Sequence, residues 1–588
     1  MRLLPATLAH ALPATRWIAG YRRRDLSPDL IAGATTAVML IPQAMAYAML
    51  AGLPPIVGLY ASLLPLLAYA LLGTSRQLAV GPVAMDSLLV AQGLAPFAAL
   101  GGETYVAYAA ALALLVGVLH GLMGVFRLGF LVNFLSRPVM AGFTSAAALI
   151  IASSQLAHVL GVSLPRGAVW SVLGDAAAQL ASWHGPTLIV ALLAIAGLVL
   201  LKRYAPRVPR ALVVVVAATL GVRLLGLEAQ GVAVVGTVPE GLPRLRLPDV
   251  APERFFDLLP VAGPIALVAL MEAMSVGKAV AQKLRYEITP NQELFALGAA
   301  NLAAGLSQGY PITGGFSRTA VNAAAGARTP LAGVVTAALV ALTLLFLTPL
   351  FHDLPKAVLA AIIMTAVIGL VDVAQARHLW RVARPELGLM ALTFAATLGL
   401  GIGEGILVGV GASLATFVMG TTRPHVAVLG RLPGTETYRN VLRYPEAEPT
   451  RGVLAVRIDA QLYFGNVSFW KQLLADLEET VVRRSGTPLR AVVLDMSAVT
   501  RLDSSAEAAL AELHAGYRAR ELRLVLAAAR GPVRDVMDRS GLLHALGPEG
   551  RAISVHQAMR ALDGREARPD TAIVPRSRGP AAEALLGG

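Results

Sequence analysis

The chain has 588 residues, 56% of them hydrophobic and only 14% charged, whereas a soluble chain carries about a quarter charged residues. This balance excludes an ordinary soluble protein and argues for a lipid bilayer as solvent. The net charge of +13 does not indicate nucleic acid, because most Lys and Arg stand between apolar runs or in the C-terminal tail, and the absence of cysteine excludes disulfides and thiolate metal sites.

Residues 1–28 read as a cytoplasmic N-terminal segment. Pro5 and Pro13 interrupt its apolar residues, so an amphipathic start is expected rather than a signal peptide. From Leu30 to Ser75 there is no Asp, Glu, Lys or Arg, and since about 20 residues cross the hydrocarbon core, that run predicts two spans. Further charge-free runs continue to Thr422, giving about fourteen membrane segments in a transmembrane domain over 29–423. Basic clusters such as Arg22–Arg24, Arg127/Arg137, Lys202/Arg203/Arg207/Arg210 and Arg377/Arg381/Arg384 fall at alternate ends of successive spans, which predicts both termini in the cytoplasm.

Within the first span Pro42 removes a backbone donor, predicting a broken helix with Gln43 and Tyr47 at membrane depth. A simple kink, with Gln43 bonded to a neighbouring helix, is the bland alternative. Next, Gly73 to Pro82 reads as an extended stretch feeding a half-helix, because Pro at a helix start loses no hydrogen bond. Asp86 lies just inside that half-helix, an acid at membrane depth.

Glu272 stands late in another apolar span, where a charge costs at least ~2.5–3.5 kcal/mol on insertion scales, so a functional role is the default. The segment 305–322 then repeats the earlier grammar, a glycine-rich extended lead into a helix predicted to start near Phe316. Two half-helices with facing N-termini would focus positive dipole ends, free N–H groups and the Ser317 hydroxyl on one spot, a setting for an anion. Arg318 can pair with Glu272, which as a purely structural ion pair is the competing reading.

After Thr422 the hydropathy falls, and Pro424, Pro433, Gly434, Pro445 and Pro449 punctuate a predicted linker over 424–450. A soluble α/β domain follows over 451–563: strands at Val453–Ile458, Ala491–Asp495 and Leu522–Ala527, and helices at Ser468–Arg483, Ser504–Ala519, Val533–Ser540 and His556–Leu562. The polar, Pro/Ala/Gly-rich tail over 564–588 is expected to be disordered.

The Asp25-x-x-x-Asp29-x-x-Ala32-Gly33 entry with Pro42-Gln-Ala-Met-Ala-Tyr47, the Ser75-Arg-Gln-Leu-Ala-Val-Gly-Pro82 element and Thr313-Gly-Gly-Phe-Ser-Arg-Thr-Ala-Val-Asn322 together resemble the sulfate permease family of anion transporters. Asp495 to Ala506 looks like the signature loop of a STAS domain. The resemblance implies a polytopic helical protein of fourteen segments in a seven-plus-seven inverted repeat, with core and gate subdomains, elevator movement and a homodimer. It also implies an anion site from Gln43 and Tyr47, from Val80, Gly81, Val83 and Ala84, and from Gly315, Phe316, Ser317 and Arg318. Glu272 matches the acid linked to proton coupling in plant-type sulfate carriers. Asp86 stands where many members are apolar, and Ala506 replaces a usual glycine. By the same resemblance Ser504, after Asp503, matches a phosphorylatable STAS serine, with a helix N-cap as the simpler reading.

The expected function is secondary active transport of a small anion, sulfate first, with Glu272 taking up the accompanying proton. Exchange or symport of bicarbonate, chloride or dicarboxylates is an alternative, as is a membrane-anchored STAS scaffold that binds a cytoplasmic partner. The sequence offers no nucleophile elbow, P-loop or metal-spaced His and acid pair, so neither an enzyme nor a cofactor is expected.

Overall fold

A computed structural model describes residues 12–100, 102–130, 136–165, 167–205 and 208–563. The expected tail over 564–588 and the first eleven residues of the N-terminal segment lie outside the described residues. The chain divides between Ser413 and Leu414 into two compact units.

The first unit is helical. Among the described residues nine helices are long and apolar enough to cross a membrane. They include α1 (Arg23–Leu50), α4 (Gly102–Val125), α5 (within Arg137–Leu160), α6 (Gly185–Tyr204) and α7 (Leu259–Lys283), together with α10 and α11 (within Leu331–Phe351 and Lys356–Val382) and α13 (Ile402–Thr422). Shorter helices fall on the remaining apolar runs: α3 (Ala84–Gly93), α8 (Pro290–Leu306), α9 (Phe316–Ala324), α12 (Arg384–Leu400) and Arg210–Leu225. The ninth long helix, Pro55–Leu72, contains α2 (Leu64–Leu72). Large apolar side chains on α6, among them Leu192, Leu193 and Leu200, are exposed, as expected of a face turned to lipid.

The expected break at Pro42 does not occur, since α1 runs continuously through it. A proline inside a helix removes one backbone donor and crowds the carbonyl four residues back, here that of Val38. Buried packing of Pro42 and its neighbours Gln43 to Ala48 holds the remaining turns.

The half-helices are joined by two two-residue strands, β1 (Val80–Gly81) and β2 (Thr313–Gly314), which pair antiparallel with Val80 opposite Gly314 and Gly81 opposite Thr313. Irregular backbone survives at membrane depth only when its polar groups are met inside the protein. Asn301 on α8 does this for Ile312, donating from Nδ2 to its carbonyl at 3.0 Å and accepting its N–H at 2.9 Å. Buried Glu293, also on α8, accepts from Thr74 N at 2.7 Å, Ser75 N at 3.0 Å and the hydroxyls of Tyr69 and Thr74, pinning the stretch that leads to β1. Asp29 on α1 likewise accepts from Arg328 N at 2.7 Å and Thr329 N at 3.1 Å, fixing the chain beyond α9.

The second unit carries a six-stranded sheet, with β3 (Val426–Arg431), β4 (Tyr438–Asn440), β5 (Val453–Ile458), β6 (Ala491–Asp495), β7 (Arg523–Ala527) and β8 (Arg551–Ala552) in the order β4-β3-β5-β6-β7-β8. β5 to β8 run parallel, and β3 joins β5 antiparallel. The predicted linker therefore contributes two strands. Alternate residues of β5 enter different cores: Leu454, Val456 and Ile458 pack with Trp470 and Leu510, and Val453 and Ala455 pack with Ala558 and Met559. Helices α14 (Val467–Ser485) and α15 (Ser504–Ala519) cover the first core. Next come α16 (Gly531–Arg539) and α17 (Leu542–Leu546), and α18 (Val555–Leu562) covers the second core.

Candidate functional site

The β1–β2 pairing brings the starts of α3 and α9 together. Their N-caps, Val83 and Gly315, have extended backbone, and neither makes a side-chain capping bond, so first-turn N–H groups stay available to a ligand. Two further bonds lock the half-helices into one body: Ala79 N donates to Thr319 Oγ1 at 3.0 Å and Gly315 N to the Ala79 carbonyl at 3.0 Å.

Arg318, in the first turn of α9, is 1% exposed. Its Nη1 donates to the Pro82 carbonyl at 2.7 Å, while Nε and Nη2 have no partner. An unsatisfied buried guanidinium is costly, so these donors mark a place built for an acceptor-rich guest. Glycine makes the close packing possible. Gly81 has φ +149°, a conformation other residues rarely adopt, and a Cβ on Gly315 would lie 2.6 Å from Arg318 Nη2.

Gln43 is buried with Oε1 unpartnered, and Tyr47 on the same helix is buried within electrostatic reach of Arg318 and Glu272. Val80, Val83 and Ala84 are buried around the junction, Ser317 is exposed, and Phe316 is 64% exposed. Phe316, the first residue of α9, stands at the junction with an exposed ring. The ion pair between Arg318 and Glu272 is not formed: they feel each other's charge without a contact within 4.0 Å among the described residues. Glu272 on α7 has one buried carboxylate oxygen without a partner, and Asp86 is fully buried with both oxygens unpartnered. α7 packs against α3, β2 and α9, which puts both acids beside the half-helix junction.

Sequence reasoning missed Tyr310 and Ser87. Their hydroxyls meet at 3.0 Å in the interior, and Tyr310 lies within electrostatic reach of Arg318, Asp86 and Tyr47. The only signal was Tyr310's place within the glycine-rich lead to β2. Glu228, His352 and Asp353 also gather with ligand atoms within 4.8 Å of one another, although His352 Nδ1 is already engaged by Asp353 at 2.8 Å.

In the second unit Asp503, not Ser504, is the N-cap of α15: its carboxylate accepts from Ala506 N at 2.8 Å and from Phe464 N at 2.8 Å. Ser504 follows as an exposed first-turn residue. Asp503 holds the extended backbone of the cap position, from which a side-chain oxygen reaches the N–H three residues on, whereas Ser504 already lies inside the helix.

Facing, uncapped half-helices converging on a buried cation inside a bundle of apolar helices define a membrane transporter of the broken-helix class. The chain belongs to the sulfate permease family, whose sequence model matches residues 26–393, and a STAS domain matches residues 444–554. It is 41% identical over 565 residues to "Sulfate transporter 4.1, chloroplastic" of Arabidopsis thaliana, covering 93% of this chain and 82% of that protein. The structure of the murine Slc26a9 anion transporter in the inward-facing state superposes with a TM-score of 0.85 at 26% identity, covering 96% of each chain. The transmembrane domain of the cyanobacterium bicarbonate transporter BicA gives a TM-score of 0.58 at 25% identity, covering 67% of this chain and 98% of that one.

Proposed function

We propose that the chain is a secondary active transporter that moves a small oxyanion, sulfate first, together with a proton. The observation that carries this reading is Arg318, a buried guanidinium with two unpartnered nitrogens, Nε and Nη2, where two uncapped half-helices meet. Helix N-termini and a guanidinium offer donors only, which suits a tetrahedral anion with acceptors on every side. The name of the Arabidopsis relative supports sulfate; the BicA likeness makes bicarbonate the rival cargo.

Glu272 is the proton carrier in this reading, and Asp86 stands beside it. A proton on either acid lowers the charge moved through the bilayer with the anion. The strand pair, the Arg318 bond to Pro82 and the Ala79 bond to Thr319 tie both half-helices into one body. That tie supports an elevator movement in which the loaded site travels whole; a homodimer rests on the family resemblance, and cytoplasmic termini on the basic clusters at alternate span ends.

The test is uptake of radiolabelled sulfate into proteoliposomes, with bicarbonate, chloride, oxalate, fumarate and succinate as competitors and an imposed pH gradient. Acid-driven accumulation competed best by unlabelled sulfate is the expected result, and Glu272→Gln keeps binding but loses the response to the gradient. Uptake that needs a counter-anion inside and ignores the pH gradient would replace proton symport by exchange. An unchanged gradient response in Glu272→Gln would remove Glu272 from coupling.

A further inference from the structure

The second unit holds a cavity of about 420 Å³ whose lining includes His425, Arg439, Asn440, Arg443, Arg457 and Asp459. Its walls are rich in donors and poor in acceptors. Asp459, the only carboxylate among them, is consumed: Oδ1 accepts from Arg457 Nε at 2.5 Å, and Oδ2 accepts from Arg457 Nη2 at 3.2 Å and stands 2.8 Å from His425 Nδ1. Arg439 and Arg443 have no side-chain hydrogen bond or ion pair among the described residues. Asn440 is only 7% exposed, and its Oδ1 accepts from Leu442 N at 2.9 Å. Two free guanidinium forks and the Asn440 amide thus line one cavity, a donor set that matches a phosphate-type oxyanion.

Two features suit this set to a membrane surface. His425 follows the last apolar helix, α13, which ends at Thr422. Leu442, between the two free arginines, is 88% exposed, so an apolar side chain is offered to the surroundings with a cation on either flank. An apolar tip among basic residues is the arrangement that seats a protein in the headgroup layer of an anionic leaflet.

We propose that this pocket binds a phosphate-class oxyanion, and that its source is the headgroup of an anionic phospholipid. None of its residues belongs to the transport site, so the inference goes beyond the transport reading and stands or falls separately from it. It gives the soluble domain a ligand of its own, held by Arg439, Arg443 and Asn440 and framed by the Arg457–Asp459–His425 cluster.

The chain has no cysteine, so Leu442→Cys in the full-length protein gives a single position for an environment-sensitive fluorophore beside the pocket. In one arm the labelled protein sits in phosphatidylcholine nanodiscs with a rising fraction of phosphatidylglycerol; in the other, pure phosphatidylcholine nanodiscs are titrated with inorganic phosphate. The expected result is a saturable change in the lipid arm that weakens with salt and whose midpoint shifts roughly tenfold in Arg439→Gln/Arg443→Gln. Both substitutions are on exposed side chains, and a lysine pair at the same positions is expected to restore part of the response. A change in the phosphate arm alone, sensitive to the same substitutions, would overturn the lipid source in favour of a soluble oxyanion. No change in either arm, or a change indifferent to Arg439 and Arg443, would overturn the site.

Discussion

Arg318 is the position where the proposed site can be tested most directly, because its three nitrogens divide between structure and ligand. Nη1 holds the Pro82 carbonyl at 2.7 Å, and Nε and Nη2 are left for the anion. A hydrogen bond to a charged group is worth about 1.5–3 kcal/mol, so losing two costs about 3–6 kcal/mol of anion binding, a factor of roughly a hundred to ten thousand. Arg318→Gln is therefore expected to remove measurable sulfate binding. Arg318→Lys keeps the charge and loses the planar fork, so an intermediate loss of about ten- to a hundredfold is expected. The assay is equilibrium binding of radiolabelled sulfate to purified protein in detergent, with the thermal unfolding midpoint measured on the same samples. Sulfate binding by Arg318→Gln with wild-type affinity would refute the anion role. Equal losses of binding in the Lys and Gln variants, each matched by an equal fall in unfolding midpoint, would make Arg318 a strut for Pro82 and nothing more.

Gly315→Ala places a Cβ 2.6 Å from Arg318 Nη2, so the guanidinium must move and transport should fall at least roughly tenfold, while Gly174→Ala, with no atom within 4 Å of its added Cβ, should transport normally in the same proteoliposome assay. Glu293→Gln replaces a carboxylate that accepts four hydrogen bonds by a group with one acceptor oxygen, and a loss of about 1–3 kcal/mol, read as a lower thermal midpoint, is expected. Asp503→Ala removes the cap of α15 and should cost about 1 kcal/mol, whereas Ser504→Ala should stay within about 0.5 kcal/mol; hydrogen exchange over α15 separates the two. Burial acts to raise the Asp459 carboxyl, but the hydrogen bonds from Arg457 and His425 outweigh it and hold the group below its usual value. Its stabilising contribution is therefore present above the ordinary carboxylate range and fades as pH falls through the lowered value, and Asp459→Asn should flatten that acid-side loss in hydrogen exchange of β5.

Local signals decided which parts of the fold the sequence could reveal. The start of α9 at Phe316 and the bounds of α15 at Ser504 and Ala519 agree with the reading to the residue, since a glycine pair marks the first and an Asp-Ser-Ser turn the second. β3 and β4 escaped because Pro424, Pro433 and Gly434 punctuate them as loop, and the partner that makes Val426–Arg431 a strand is β5, residues away in sequence. The same holds within the membrane unit. Ser87 with Tyr310, Glu293 with Thr74 and Asn301 with Ile312 are bonds made across the fold, and no spacing rule points to them. Pro42 misled in the opposite direction, because a local breaker was overruled by buried packing.

The cluster of one guanidinium and two carboxyls also bears on how a dianion could be moved. With one acid protonated, the empty site is neutral, the ionised partner balancing Arg318. Adding sulfate to that state leaves a doubly negative load, and a further proton on the second acid reduces it to a single negative charge. Because transfer of charge into low dielectric grows steeply costlier with net charge, the empty and loaded forms that cross most readily differ by one proton. Asp86 then ceases to be an oddity of this chain. Under the proposed proton symport, Asp86, buried without a hydrogen-bond partner beside Glu272, would be that second carboxyl.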